Sequence, residues 1–449
     1  MIALRFNELA QLLKGEESSA NPTLESIVTD SRKAQQGSLF AALPGERVDG
    51  HDFAASAVCL GAAALLVARP LELPVPQLVV DDVLAALGRI AALLRSRLHP
   101  QVIGITGSNG KTTVKEMVAG ILRIKGEVLA TEGNYNNELG LPLTLFGLDQ
   151  QHRYAVLEMG ASKPGDIAYL ADIAQPDVGI VTNIGPAHLE GFGSVEGVAR
   201  TKGEMFAGLP AGGCAVMNAD EPWLTTWQKM NHAGRTITFG AAQDADVRLD
   251  DSGNRPRILT TAGDIEVRLA LPGRHNLYNA AAATAAALAL DIEMELIRQG
   301  LERVEPVPGR LNMLHTSAGW TVIDDSYNAN PASLYSALQV LTAQSGEPWL
   351  VLGDMKELGI GSTKMHREVG ETARTMGVRR LFAIGEMSEH TVDAFGRGAR
   401  HFAGKDELIA ALRDELRPAV NCLVKGSRSM GMDAVVQAVL EESGLREAS

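Results

Sequence analysis

Three α/β domains in a row, each built on a mostly parallel sheet, are what this amino-acid sequence predicts. Three observations carry the expectation. Short apolar runs of strand type alternate with helical patterns along the chain, the signature of parallel strands joined by crossover helices. A length of 449 residues suits about three domains of ordinary size. A turn-rich connector, EPVPGRLN at 305–312, places two prolines and a glycine within eight residues and marks a boundary. The expected division is a small α/β domain at 1–82, a central parallel-sheet domain at 83–309 and a Rossmann-like α/β domain at 310–449.

In the first domain the strand candidates are SIVTD, SLFAAL, ALLVA and QLVVDD, with an alanine-rich segment near 54–64. The amphipathic stretch VLAALGRIAALLRSRL (83–98) predicts a helix that ends before Pro100. The central domain opens on the apolar strand VIGIT (102–106) and continues through YAVLEM (154–159), VGIVTN (178–183) and AVMNAD (215–220). TVIDDS, WLVLGDM, LFAIGE and CLVKGS repeat the theme in the third domain, and no short-period repeat interrupts the pattern.

Composition excludes several classes. Acidic residues outnumber basic ones 54 to 41, for a net charge of -13, and aromatics are 4% of the chain. A surface that negative, with so few rings for stacking, does not attract nucleic acid. Cys59, Cys214 and Cys422 fit neither a disulfide framework nor a zinc site, and read as three buried thiols in a reducing compartment. The N-terminus has no uninterrupted apolar core, and the run AAAATAAALAL (280–290) is too short to span a bilayer. These features predict a cytoplasmic protein without membrane insertion.

Strand VIGIT runs into GITGSNGKTT (104–113), and an amphipathic helical pattern follows. That order lets backbone N–H groups of Gly107, Ser108, Asn109, Gly110 and Thr113 surround phosphate oxygens at a helix start. Lys111, expected to be an exposed loop lysine, would reach the β- and γ-phosphates, and the Thr112 hydroxyl would ligate magnesium. The loop therefore predicts a nucleoside triphosphate and Mg2+ as ligands. It departs from the strict phosphate-loop spacing, because position 105, where a first glycine belongs, holds Ile105.

Glu158 closes the run YAVLE at the carboxyl edge of the sheet, where a carboxylate can hold a metal against a triphosphate; alone such a residue is more often a helix N-cap or a loop charge. His188, in NIGPAHLEGFGS, follows the next strand, and a lone histidine there is either structural or faces the site. Lys202 sits in ARTKGEMF at an expected helix start and on chemistry alone reads as a solvated surface lysine. Asn276 and Asn279, one turn apart in LPGRHNLYNAAAA, face the same way, either to cap the helix or to hold nucleotide.

These motifs together resemble the Mur ligase family. The loop matches GxTGxNGKT[ST], Glu158 stands in EMG, His188 in NIGPAHL, Lys202 in TKGE, and both asparagines in GRHNLYNAAA. The resemblance covers essentially the whole chain. It implies that Glu158 and His188 are magnesium ligands and that Lys202 is carbamylated by carbon dioxide, giving a carboxylate near the metal. Carbamylation needs a neutral amine, which burial near cations supplies. The resemblance also puts Arg310 at the γ-phosphate, Asp325 at the ribose, and Tyr327 and Asn330 on the adenine side.

In the first domain TDSR (29–32) and LFAALPGERVDGHDF (39–53) resemble the uridine-diphosphate-binding domain of the later Mur ligases, which the related folylpolyglutamate synthases lack. Ser31, Arg32, Asp49, Gly50 and His51 would meet the uracil and diphosphate; without the resemblance they read as turn residues. Three further stretches, GNYNNELGLPLTL (133–145), LVLGDMKELG (350–359) with His366 and Glu368 following, and LVKGSRSMGM (423–432), resemble the member that joins D-alanyl-D-alanine to UDP-N-acetylmuramoyl tripeptide. No DNPR motif of the preceding step is present. The expectation is a monomeric enzyme that activates the tripeptide carboxylate as an acyl phosphate. Two other readings stand beside it: an amide ligase of the same family with a different amine, and a phosphate-loop switch that couples hydrolysis to binding.

Overall fold

The computed structural model describes residues 1–45, 48–253 and 255–442. Glu46 and Arg47, within the stretch 39–53, and residues 443–449 of the third domain lie outside them. Three α/β sheets follow one another along the chain, as expected. The first is all parallel and in chain order: Ser26–Val28, Ser38–Ala41, Ala62–Val67 and Gln77–Val79. A two-stranded antiparallel ribbon, Leu4–Arg5 with Thr23–Leu24, lies outside it.

Helix Val83–Leu98 forms over the expected residues. The Asp82 carboxylate caps it by accepting the Ala85 N–H at 3.0 Å, and His99 ends it in a left-handed conformation ahead of Pro100. Its Leu87, Ile90 and Leu94 are fully buried in one cluster that joins Leu9, Leu39 and Leu66 of the first domain to Leu141 and Leu170 of the second. Near residue 82 the sheet thus changes while the core runs on unbroken.

The central sheet has nine strands, in the order Gly263–Glu266, Arg257–Thr260, Val247–Asp250, Arg235–Gly240, Cys214–Asn218, Val178–Val181, Gln101–Thr106, His152–Glu158 and Glu127–Ala130. Only the two pairings among residues 247–266 are antiparallel. Strands buried on both faces read as apolar runs and were visible in sequence. The outer strands Arg257–Thr260 and Gly263–Glu266, RILT and GDIE, carry only one or two apolar residues between polar ones, and were not. Alternate strand residues feed two cores. Ile103, Val156 and Ile180 pack against helices Lys111–Leu122 and Arg274–Ala289, while Val102, Leu157 and Val181 pack with Leu170, Met205 and Phe206. The alanine-rich run lies inside helix Arg274–Ala289, where small side chains let it press close to the phosphate-loop helix.

The third sheet runs Asn312–His315, Thr321–Asp325, Val420–Lys425, Glu347–Gly353, Arg380–Ile384 and Ala399–Phe402, parallel except at its first pair. Cys214 and Cys422 are buried, but Cys59, at the end of the short helix Ala54–Cys59, is exposed, which corrects the expectation of three buried thiols. Among the described residues no helix is long and apolar enough to cross a membrane.

Candidate active site

Strand Gln101–Thr106 delivers the glycine loop to the carboxyl edge of the central sheet. Ile105 is a fully buried strand residue, so a glycine there would serve no turn; the turns are made at Gly107 and Gly110. Gly110 has φ +81° and starts helix Lys111–Leu122, and a Cβ on it would stand 2.4 Å from Asn279 Oδ1. The loop is held from beside it. Ser108 N–H donates to Asn183 O at 2.9 Å, Asn109 N–H to Asn183 Oδ1 at 3.0 Å, and Thr182 Oγ1 to Asn109 O at 2.6 Å. The Ser108 and Asn109 N–H groups are thus committed to Asn183, which corrects their expected part as phosphate donors, and the N–H groups at the start of helix Lys111–Leu122 are left for an anion.

Lys111 is not an exposed lysine. It is half-buried, it donates from Nζ to Gly107 O at 2.9 Å, and desolvation lowers its pKa against the pull of Glu158. Beside it, Thr112 Oγ1 donates to Glu158 Oε2 at 2.8 Å and Asn136 Nδ2 to Glu158 Oε1 at 2.8 Å, so both carboxylate oxygens are oriented.

Lys202 lies in the middle of helix Val195–Ala207, whose N-cap is Ser194; the expected helix start at this residue is corrected. Ser194 accepts the Gly197 N–H at 3.0 Å, a capping signal eight residues upstream of Lys202. The side chain is only 2% exposed, which removes the reading as a solvated lysine. Burial drives its pKa well below the usual lysine range, Lys111 adds to the effect, and Glu158 opposes it. A neutral amine of this kind is the form that takes up carbon dioxide.

His188 has φ +52° and begins the short helix Leu189–Phe192. Its Nδ1 is paired with the Glu357 carboxylate of the third domain. Burial lowers the imidazole pKa, Glu357 raises it, and Lys111 and Lys202 lower it further. Charge thus links Lys202 to Lys111 and Glu158, and His188 to both lysines.

A cavity of about 530 Å³ opens between the central and third domains, lined by Asn109, Gly110, Asn276, Asn279, Arg310 and Asp325 among others. Asn276 and Asn279 form the expected pair: Asn279 Nδ2 donates to Asn276 Oδ1 at 3.0 Å and Asn276 Nδ2 to Pro272 O at 2.7 Å. Arg310 crosses the hinge to the loop, with Nη2 3.4 Å from Thr112 Oγ1. Asp325 is buried and paired with Lys425; burial raises its pKa while Lys425 pulls it down.

Tyr327 and Asn330 are placed differently from the adenine-side expectation. The Tyr327 ring lies 3.9 Å under the Arg310 guanidinium and lines a separate hinge cleft with Arg428. Asn330 caps helix Pro331–Ala343 and donates from Nδ2 to Asn109 Oδ1 at 2.8 Å, bridging two domains. Sequence reasoning assigned no role to Asn136, Asn183, Glu357 or Lys425. Asn136, Glu357 and Lys425 lay inside stretches singled out for other reasons, and Asn183 ended a strand candidate.

In the first domain the expected residues all follow the carboxyl ends of its strands. Ser31 and Arg32 form a short turn in which the exposed Arg32 pairs with Asp30 at 2.8 Å. Gly50 passes so near Leu43 that a Cβ would meet Leu43 O at 2.6 Å. His51 is buried with both ring nitrogens engaged, by Asp49 Oδ1 at 2.6 Å and by the Ala68 N–H at 2.9 Å. Its structural part is to hold this loop, and a direct contact with ligand is corrected; Asp49, also paired with Arg69, remains half-buried at the rim.

Residues 23–95 match the Mur ligase family catalytic domain, 105–287 the Mur ligase middle domain, and 309–428 the Mur ligase glutamate ligase domain. The chain belongs to the Mur ligase family. It is 42% identical to the UDP-N-acetylmuramoyl-tripeptide–D-alanyl-D-alanine ligase of Escherichia coli (strain K12), over 99% of this chain and 100% of that one. The enzyme of the same name from Bacillus subtilis (strain 168) is 36% identical over 98% and 99%. A crystal structure of MurF from Acinetobacter baumannii superposes with a TM-score of 0.91 at 34% identity, covering 98% and 99% of the two chains. MurF ligase from Thermotoga maritima in complex with ADP gives 0.85 at 29% identity, covering 93% and 98%.

The residues present fit the nucleotide and metal that a Mur ligase uses. Arg310 Nε is buried and without a hydrogen-bond partner, a donor beside the loop that a phosphate oxygen would satisfy. Among the described residues no three His, Cys, Asp or Glu side chains converge as a closed metal cage. Magnesium needs none: it takes one or two protein oxygens together with phosphate oxygens and water, which the Thr112–Glu158 pair suits.

Proposed function

We propose that this chain is an ATP-dependent amide ligase of peptidoglycan precursor synthesis, joining D-alanyl-D-alanine to UDP-N-acetylmuramoyl tripeptide with release of ADP and phosphate. The observation that carries the reading is the meeting of Lys111, Thr112 and Glu158 with Arg310 at one interdomain cleft. Names of relatives identical at 36–42% over nearly the whole chain support the choice of substrates.

A carboxylate is a poor electrophile. The terminal carboxylate of the tripeptide therefore takes the γ-phosphoryl group of ATP, giving an acyl phosphate and ADP. Lys111 and the N–H groups at the helix start, Gly110 to Thr113, hold the β- and γ-phosphate oxygens, and Arg310 meets the charge that develops on the transferred group. Thr112 and Glu158 would hold magnesium, with His188 and a carbamylated Lys202 as its further neighbours, and the ion would supply further neutralisation of phosphate charge. The neutral amine of D-alanyl-D-alanine then attacks the acyl carbon, and the tetrahedral intermediate expels phosphate. Asn276, Asn279 and Asp325 bind the nucleotide from the walls of the cleft, and Tyr327 and Asn330 fix Arg310 and Asn109. Ser31, Arg32, Asp49 and Gly50 form the uridine-diphosphate end of the substrate site. The enzyme works as a monomer in the cytoplasm, where ATP and the nucleotide precursor are made.

Oxygen-18 placed in the tripeptide carboxylate tests the chemistry. An acyl phosphate requires that label to appear in the released phosphate; unlabelled phosphate accompanying labelled product would contradict it.

A further inference from the structure

Glu357 lies at the tip of a loop in the third domain whose base is tied down on several sides. Asp354 accepts the Ser388 N–H at 2.8 Å and its Oγ at 2.9 Å. Ser427 Oγ accepts the Lys356 N–H at 2.8 Å, and His366 Nε2 accepts the Met355 N–H at 3.1 Å. The tip therefore travels with its domain. It meets the central domain at His188, with Gly359 beside the Glu190 backbone, where a Cβ would be 3.7 Å away. Both partners of the pair are non-glycine residues in left-handed backbone, His188 at φ +52° and Glu357 at φ +63°. Such conformations persist only where the surroundings impose them, and they gather at functional sites.

We propose that Glu357 is a positioning residue for the metal site. With the Nδ1–H donated to Glu357, the neutral imidazole of His188 keeps its Nε2 lone pair as the free ligand atom, and the ring cannot turn. Because the carboxylate comes from the third domain, this ligand is held in place only while the two domains are apposed. Metal binding and domain closure are thereby linked through one ion pair. The inference rests on the reading of His188 as a magnesium ligand, and the test separates the two.

Mn2+ replaces Mg2+ in a titration of the full-length protein with a non-hydrolysable ATP analogue, free metal being read by electron paramagnetic resonance. Glu357→Ala should weaken Mn2+ binding by about tenfold or more, the usual effect of removing a carboxylate behind a ligating histidine. Glu357→Gln should lose less, since it keeps an oxygen for the Nδ1–H. His188→Ala should weaken binding too, and Glu357→Ala should add nothing in that background. The side chains of both residues are more than a third exposed, so the melting temperature should not move. Binding within twofold of wild type in Glu357→Ala would overturn the proposal, as would an undiminished effect of that change in the His188→Ala background. Wild-type affinity in His188→Ala would instead sink the reading beneath it.

Discussion

Replacing Gly110 with alanine tests whether the loop is a phosphate cradle locked from behind. The backbone at Gly110 has φ +81°, which an L side chain adopts at a cost of about 1–2 kcal/mol. The new Cβ would stand 2.4 Å from Asn279 Oδ1, roughly 1 Å short of ordinary contact. Asn279 cannot swing aside freely: it is 5% exposed, and its Nδ2 is committed to Asn276, itself committed to Pro272 O. Turning it would leave a buried amide unpaired, worth about 1–3 kcal/mol. The sum is a loss of about 2–5 kcal/mol, taken either as stability or as a loop displaced by a large fraction of an ångström. A shift of that size at a phosphate site lowers kcat by about a hundredfold. Gly133→Ala is the control, because Gly133 has φ +52° but nothing within 4 Å of its Cβ, so it bears the backbone cost alone. The assay is phosphate release with denaturant unfolding for both variants. Removing the obstacle in Gly110→Ala/Asn279→Ala should recover part of the lost stability. Equal stability and turnover in Gly110→Ala and Gly133→Ala would refute the reasoning.

Lys202→Ala should lose a factor of about 100 or more in kcat if its carbamate helps hold the metal, with partial rescue by formate; full activity in the variant would reject that role. His275, which lines the cleft, has its pKa pushed down to about 4 by burial and by Lys425, from an ordinary 6.5. The unfolded chain therefore binds a proton there that the folded chain refuses. Stability from this group is full above pH 6.5 and falls as pH drops toward 4, by on the order of 3 kcal/mol, and His275→Gln should lack that part of the decline in urea unfolding. Identical pH profiles in the two proteins would contradict the assignment. Arg32→Ala should raise the KM for the nucleotide tripeptide by about tenfold or more and leave the KM for ATP unchanged, since a charge-assisted bond to diphosphate is worth about 1.5–3 kcal/mol. Equal changes in both constants would place Arg32 elsewhere.

Much of the candidate site was legible because its residues lie at or after strand ends. Glu158 ends an apolar strand, Lys111 and His188 lie in the segments that follow two others, and the order strand, glycine loop, helix is written in consecutive residues. Helix Val83–Leu98 was readable from its periodicity and Pro100, and the structure adds the Asp82 cap. What escaped depended on contacts between distant segments. Nothing local in KELG announces that Glu357 meets His188, and nothing near Tyr327 shows that its ring supports Arg310. The family resemblance implies a ligand contact for His51, yet the fold closes Asp49 and Ala68 around it. Lys202 is the inverse case: a charged residue in a polar stretch, buried because tertiary packing puts that turn of helix beneath the sheet edge.

Phosphate release measured with UDP-N-acetylmuramoyl tripeptide, ATP and magnesium, with the amine varied, tests the central claim most directly. Release should be slow with no amine, rapid and equal to peptide formed with D-alanyl-D-alanine, and slow with single amino acids. Rapid release without any amine would mark a nucleotide switch, and a preference for a single amino acid would mark a ligase of a different step; either would contradict the account.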